Sequence, residues 1–236
     1  MKNVAVILAA GQGKRMNSAT KKQFLLINEK TVLSYSVNEF SRSDLITELI
    51  IVTSVDEIEG LKKEYCDSDS VLKPCRVIEG GKERYHSVYN ALKSIDDCDY
   101  VFIHDAARPF LTQEILQHSF QEVLKYQACV TGVLSKDTVK IASADGFVEK
   151  TPDRSKVWII QTPQVFSYKL IKRAYDSLIS QEMDLINRGI AITDDAMVAE
   201  TFTDVRVKLI EGDYHNIKIT TPEDIKIAEV FSSRVI

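Results

Sequence analysis

No uninterrupted apolar run in the 236 residues approaches the roughly 20 needed to cross a bilayer, so no membrane span is expected. Glycine (9) and proline (5) are sparse, which excludes collagen-like and low-complexity architectures. The four cysteines, Cys66, Cys75, Cys98 and Cys129, include no pair at metal or redox spacing. They read as reduced, mostly buried thiols. With no recognisable signal peptide, a cytoplasmic location is expected. Four histidines at positions 86, 104, 118 and 215 are too scattered for a zinc site. Nor is there an excess of positive charge: Lys plus Arg number 30 against 34 Asp plus Glu, for a net −4. Broad attraction to nucleic acid or anionic lipid is therefore not expected, and any anion site must be a local cluster. The chain also lacks a G-x-S-x-G elbow, an identifiable Cys–His arrangement and a D-x-D metal motif at a strand end.

What is present is an alternation. Residues 4–10 form a continuous apolar run, as in a strand covered on both faces, and 48–54, 76–79, 100–104 and 129–134 repeat it. Between them, 31–40, 83–95 and 112–126 carry apolar residues at helical spacing, with Thr112 as a candidate N-cap. After an interruption, the order resumes with a strand at 157–161, helices at 167–180 and 194–201, a strand at 205–211 and a helix at 222–232. Pro222 suits the first turn of that last helix, with Thr221 as its cap. This is the pattern of an α/β protein with a Rossmann-like, doubly wound, mainly parallel sheet, expected as one domain over 1–236.

The interruption at about 135–156 has its own character. Residues 138–143 alternate, Asp145-Gly146 reads as a hairpin turn, and 147–151 extends again with no helix following. A lone two-stranded hairpin is marginal in water and leaves open edges. A projecting β-arm packed on another subunit, and hence a homodimer, is expected.

Three clusters point to chemistry. At the end of the first strand, L-A-A-G-Q-G-K-R-M leads to K-K-Q-F. The glycines Gly11 and Gly13 allow positive φ and bare backbone N–H groups, while Arg15 offers a planar fork and Lys22 a point charge for phosphate oxygens. The run is neither a dinucleotide fingerprint nor a P-loop. At the end of the strand at 100–104 stands I-H-D-A-A-R-P-F, where Asp105 is placed to hold Mg²⁺ among substrate phosphates. After the strand at 76–79, E-G-G-K-E-R-Y-H-S-V again brings glycines to a strand end, a signal that by itself means only a turn.

The order L-A-A-G-x-G-x-R-M…K-Q-F resembles the signature of the sugar-nucleotide nucleotidyltransferases. Five further clusters narrow the match: S-K-D-T-V-K, T-P-D-R, W-I-I-Q-T-P-Q-V-F, I-T-D-D-A and N-I-K-I-T-T-P-E-D. In this order over nearly the whole chain, they resemble the 2-C-methyl-D-erythritol 4-phosphate cytidylyltransferases of the non-mevalonate isoprenoid pathway. The resemblance implies that Arg15, Lys22 and Lys218 are the catalytic cations around the phosphates of CTP. It implies that the loop at Gly11 and Gly13 wraps the triphosphate, with the backbone of Ala9 and Ala10 beside the base. It assigns pyrimidine reading to the backbone of Gly81 and Lys82 and to the Ser87 hydroxyl. The acceptor phosphate falls to Thr138 and Arg154, reaching from the arm into the neighbouring subunit's site, with Arg108, Thr162 and Thr193 lining the same pocket. Asp105 becomes the Mg²⁺ ligand. Two other functions stay open at this point: a ribitol 5-phosphate cytidylyltransferase, sharing several clusters, and a non-catalytic nucleotide-binding protein on the same fold.

Overall fold

The computed structural model describes residues 1–11, 13, 16, 20–68 and 71–233. The strands are β1 (Asn3–Leu8), β2 (Leu26–Ile27), β3 (Lys30–Thr31), β4 (Glu48–Thr53), β5 (Cys75–Glu79), β6 (Tyr100–Asp105), β7 (Ala128–Leu134), β8 (Ile141–Ala142), β9 (Val148–Lys150), β10 (Trp158–Ser167) and β11 (Lys208–Glu211). The helices are α1 (Val32–Ser41), α2 (Ile58–Leu61), α3 (Arg84–Ser94), α4 (Gln113–Tyr126), α5 (Tyr168–Ser180), α6 (Glu182–Asn187), α7 (Asp195–Phe202) and α8 (Pro222–Ser232). Seven strands make one sheet in the order β11-β7-β10-β6-β1-β4-β5. All neighbours are parallel except β10, which runs antiparallel to both β6 and β7.

Period-two alternation sorts the side chains between two layers. Val4, Val6, Ile50, Val52, Val101 and Ile103 pack on one face against α3 and α5. Ala5, Ile7, Leu49, Ile51 and Phe102 pack on the other against α1 and α4. Both faces are covered, which is why these strands read as unbroken apolar runs. A third, smaller cluster joins Met16, Ile27 and Val32 to Ile219 and Ala228, tying the first loop to the segment before α8.

The caps follow from sequence chemistry. The Thr112 side chain accepts from the backbone N–H of Ile115 at the start of α4. Thr221 and Asp224 form a capping box at α8, with Pro222 in the first turn. The shortest elements, α2, α6 and the β2–β3 hairpin, escaped the sequence reading because two to six residues are too few to show a period.

The strand expected at 157–161 continues to Ser167. Its register against β7 shifts between Ile160 and Gln164, where the cis Thr162–Pro163 peptide sits. A proline at such an irregularity does not break the ladder, because the missing N–H falls where pairing is already interrupted. The hairpin expected in this stretch is present as β8 and β9, paired antiparallel around Gly146 (φ +88°), and its residues are almost all exposed. Phe147 at its tip is 72% exposed.

Phe102 is fully buried in the central strand, and Phe102→Ala is expected to cost about 3–5 kcal/mol of stability in denaturant titration. Leu72→Ala, at an 85% exposed position, is expected to change it by less than about 0.5 kcal/mol.

Candidate active site

The chain order reverses beside β1, whose neighbours are β4 and β6, and open α/β sheets bind ligands at such a switch point. Register brings Leu8, the last residue of β1, opposite Asp105, the last of β6. A cavity of about 580 Å³ lies beyond these carboxyl ends. Ala10, Gly11, Gly13, Lys22, Gly81, Lys82, Ser87, Asp105 and Lys218 line it together.

Close backbone approach shapes its walls. A Cβ on Gly80 would stand 2.6 Å from Ala10 Cβ and 2.9 Å from Ser87 Oγ, so only glycine lets the loop after β5 meet the loop after β1. Ser87 is buried, and its hydroxyl accepts from the Gly81 N–H at 2.9 Å. It thereby holds the expected base-reading loop in place. Gly13 has φ +62°, and Lys22 packs its stem against it. Ala9 does not line the cavity. It is buried, its N–H is bonded to Val52 O at 2.7 Å, and its carbonyl accepts from Gln23 Nε2. Arg15, with Lys14, lies outside the described residues. Lys21 is no free surface charge: its ammonium bonds Ser54, Asp56 and Glu57.

Charge is concentrated at Asp105. Its Oδ2 accepts from Lys218 Nζ at 2.6 Å and its Oδ1 from Arg84 Nε at 3.1 Å. Burial raises the carboxyl's pKa, but Arg84 and then Lys218 outweigh it and hold the group well below the usual carboxylate range. Arg84 in turn makes a two-pronged bond to Asp195, at 2.9 and 2.8 Å. Asp195 is fully buried at the start of α7 and also accepts from Tyr175 Oη at 2.5 Å. Burial lowers the Arg84 pKa, yet Asp195 and Asp105 reverse the direction and hold it well above the usual value.

Lys218 stands in a segment without regular secondary structure between β11 and α8, fixed by the Ile219 N–H to Ala107 O bond at 2.8 Å. The anion that a half-buried lysine requires is Asp105. Lys22 Nζ donates to Ile219 O at 3.1 Å, so both lysines meet at this segment.

The residues expected around the acceptor are not gathered in this cavity. Arg108 is buried and donates to two carbonyls, Asn216 O at 2.7 Å and Ile160 O at 3.1 Å, bracing β10 against the segment that carries Lys218. Thr162 is buried, and its oxygen accepts from the Asp105 N–H at 3.1 Å. Thr193 is exposed before α7. Thr138 and Arg154 are exposed on the arm, with Arg154 Nη1 donating to Lys136 O at 3.2 Å.

Sequence reasoning missed Arg84, Asp195 and His104. Arg84 and Asp195 lay inside clusters already singled out, G-G-K-E-R and I-T-D-D-A, but nothing local indicates that they meet across 111 positions. His104 is fully buried, and burial lowers its pKa to about 4.

No group of three or more His, Cys, Asp or Glu side chains converges as a metal site among the described residues. One ionised carboxylate on the cavity wall does suit a hard divalent cation that takes its other ligands from phosphate and water.

Known proteins share this arrangement of chain and fold. A sequence model of the 2-C-methyl-D-erythritol 4-phosphate cytidylyltransferase family matches residues 3–234. The enzyme of that name from Lachnoclostridium phytofermentans is 47% identical over 228 residues, covering 97% of this chain and 95% of the relative. That from Clostridium kluyveri is 46% identical over 227 residues, covering 96% and 95%. The crystal structure of 4-diphosphocytidyl-2C-methyl-D-erythritol synthase from Anaerococcus prevotii superposes with a TM-score of 0.85 at 34% identity, covering 99% of both chains. On a family match running almost from end to end, with relatives of this identity, the chain belongs to the 2-C-methyl-D-erythritol 4-phosphate cytidylyltransferases.

Proposed function

We propose that the protein transfers a cytidylyl group from CTP to 2-C-methyl-D-erythritol 4-phosphate. The products are 4-diphosphocytidyl-2-C-methyl-D-erythritol and diphosphate. The observation that carries this reading, beside family membership, is the convergence of Lys22, Lys218 and an ionised Asp105 on one cavity at the sheet's switch point.

An oxygen of the acceptor's phosphate attacks the α-phosphorus of CTP. The bond from that phosphorus to the bridging oxygen breaks, and diphosphate leaves with the electron pair. A phosphate monoester is largely dianionic at neutral pH, so the attack needs no strong general base. The obstacle is repulsion between two polyanions. Lys22 and Lys218, with Arg15, supply fixed positive charge where negative charge grows on the leaving group. Gly81 and Lys82 present backbone to the pyrimidine, in a loop held by Ser87. Magnesium bound at Asp105 and the phosphates would neutralise part of the triphosphate charge. Positioning and electrostatics then supply the rate enhancement, with no covalent enzyme intermediate.

The arm completes the reading. Thr138 and Arg154 are exposed on it and away from the cavity of their own chain. A homodimer in which each arm enters the partner's site would bring their hydroxyl and guanidinium groups to the acceptor phosphate. It would also cover Phe147 and Val148, exposed by 72% and 60%.

A diphosphate-release assay comparing 2-C-methyl-D-erythritol 4-phosphate with ribitol 5-phosphate tests the central claim. Turnover with the first and little with the second is expected, and the reverse preference overturns it. Lys22→Ala and Lys218→Ala should each lower kcat about 100-fold or more, since their contacts strengthen in the transition state. Chelation of divalent cations should stop turnover, and Mg²⁺ should restore it. Arg154→Ala should raise the acceptor's KM with a smaller change in kcat. Phe147→Asp should shift the protein toward monomer in sedimentation velocity.

A further inference from the structure

His104 stands next to Asp105 near the end of β6, and the reaction as read above gives it no task. Its ring is fully buried and packs edge-on against Phe40, with centroids 5.4 Å apart. Both ring nitrogens are engaged. Nε2 lies 3.1 Å from Arg108 O, and Nδ1 lies 3.0 Å from Thr162 Oγ1. A carbonyl oxygen only accepts, so Nε2 carries a proton. The ring is shut off from water and neither nitrogen contacts a carboxylate, so it is neutral and Nδ1 is bare. The Thr162 hydroxyl therefore donates to Nδ1, while its oxygen accepts from the Asp105 N–H at 3.1 Å. Every bond in the chain has a fixed direction: Asp105 N–H to Thr162, Thr162 O–H to His104, His104 N–H to the Arg108 carbonyl.

The two ends of this chain are the two sides of the site. One is the backbone of Asp105, whose carboxylate faces the cavity. The other is Arg108, whose guanidinium holds Asn216 O two residues before Lys218. Ala107, next to it, accepts from the Ile219 N–H one residue after. Asn216 Nδ2 closes the circuit on Thr162 O at 3.0 Å.

We propose that His104 is a positioning residue: through one neutral ring it fixes the Thr162 hydroxyl and the Arg108 turn, and so sets the spacing of Asp105 and Lys218. The inference rests on Asp105 being the metal's ligand, and its test separates the two claims.

Mn²⁺ is titrated into the full-length protein with CTP, the free ion being followed by electron paramagnetic resonance. The native protein is compared with His104→Phe, His104→Asn and Asp105→Asn, and Tm, kcat and the KM for CTP are measured on each. Phenylalanine keeps the packing on Phe40 and leaves Thr162 without an acceptor. It is expected to weaken Mn²⁺ binding and lower kcat about 10-fold or more. Asparagine places an amide oxygen near the position of Nδ1 and is expected to bring Mn²⁺ affinity back to within a few-fold of native. Native affinity and kcat in His104→Phe overturn the proposal. So does an equal loss in both His104 variants that follows their loss of Tm, which would make the residue a packing element only. Unchanged Mn²⁺ binding in Asp105→Asn refutes the metal reading itself, and His104 is then judged on kcat and the KM for CTP. Loss in Asp105→Asn with none in His104→Phe refutes the relay alone.

Discussion

A carboxylate at the buried end of β6 is the constraint around which the rest of the site is arranged. Asp105 is 8% exposed, and a charge so placed is sustained only by direct partners. Among the described residues it has two, Arg84 from the start of α3 and Lys218 from the segment before α8. Arg84 is in turn divided between Asp105 and Asp195, which joins α7 to the same cluster. Four separate stretches of chain are thereby locked to one point above the sheet. Such buried ion clusters contribute little net stability compared with apolar packing, since desolvation offsets much of the attraction. Their persistence here is better understood as preorganisation: charges already oriented for a phosphorylated ligand need little rearrangement when it arrives.

The sheet makes this concentration possible. The reversal of chain order beside β1 opens a crevice that neither flanking helix covers, and the parallel strands deliver their last residues into it. Glycine at position 80 lets two loops approach closer than any side chain would allow, and Ser87 stitches the second loop from beneath. Within the seven-stranded sheet the antiparallel strand, β10, supplies the irregular stretch around Thr162 and Pro163 that supports Asp105 from the far side.

The residues grouped at the acceptor by family resemblance separate physically into two kinds. Arg108 and Thr162 are buried, and the Arg108 Nη atoms and the Thr162 hydroxyl are engaged by backbone groups and His104. Thr138, Arg154 and Thr193 are exposed. The first kind shapes the site from within. Of the second kind, Thr138 and Arg154 lie outside the cavity lining of their own chain, and the proposed homodimer would bring them to a partner's site.

By itself the sequence determined the layers, most helix and strand positions and the chemistry of the loops, because those depend on local periodicity, capping and turn residues. The apolar runs of β1, β4 and β6, the Thr112 and Thr221 caps and the hairpin at Gly146 are all local facts. Lys22 and Asp105 stood out because a charge near a strand end is conspicuous in a string of residues, and Lys218 came from the family resemblance. Only the tertiary structure decided how those charges are shared. Arg84 meets Asp195 across 111 positions, Lys218 meets Asp105 across 113, and Thr162 meets His104 across 58. Such pairings follow from strand order and register. Neither is encoded by spacing along the chain, since a long-range partner leaves no periodic trace in the residues around it.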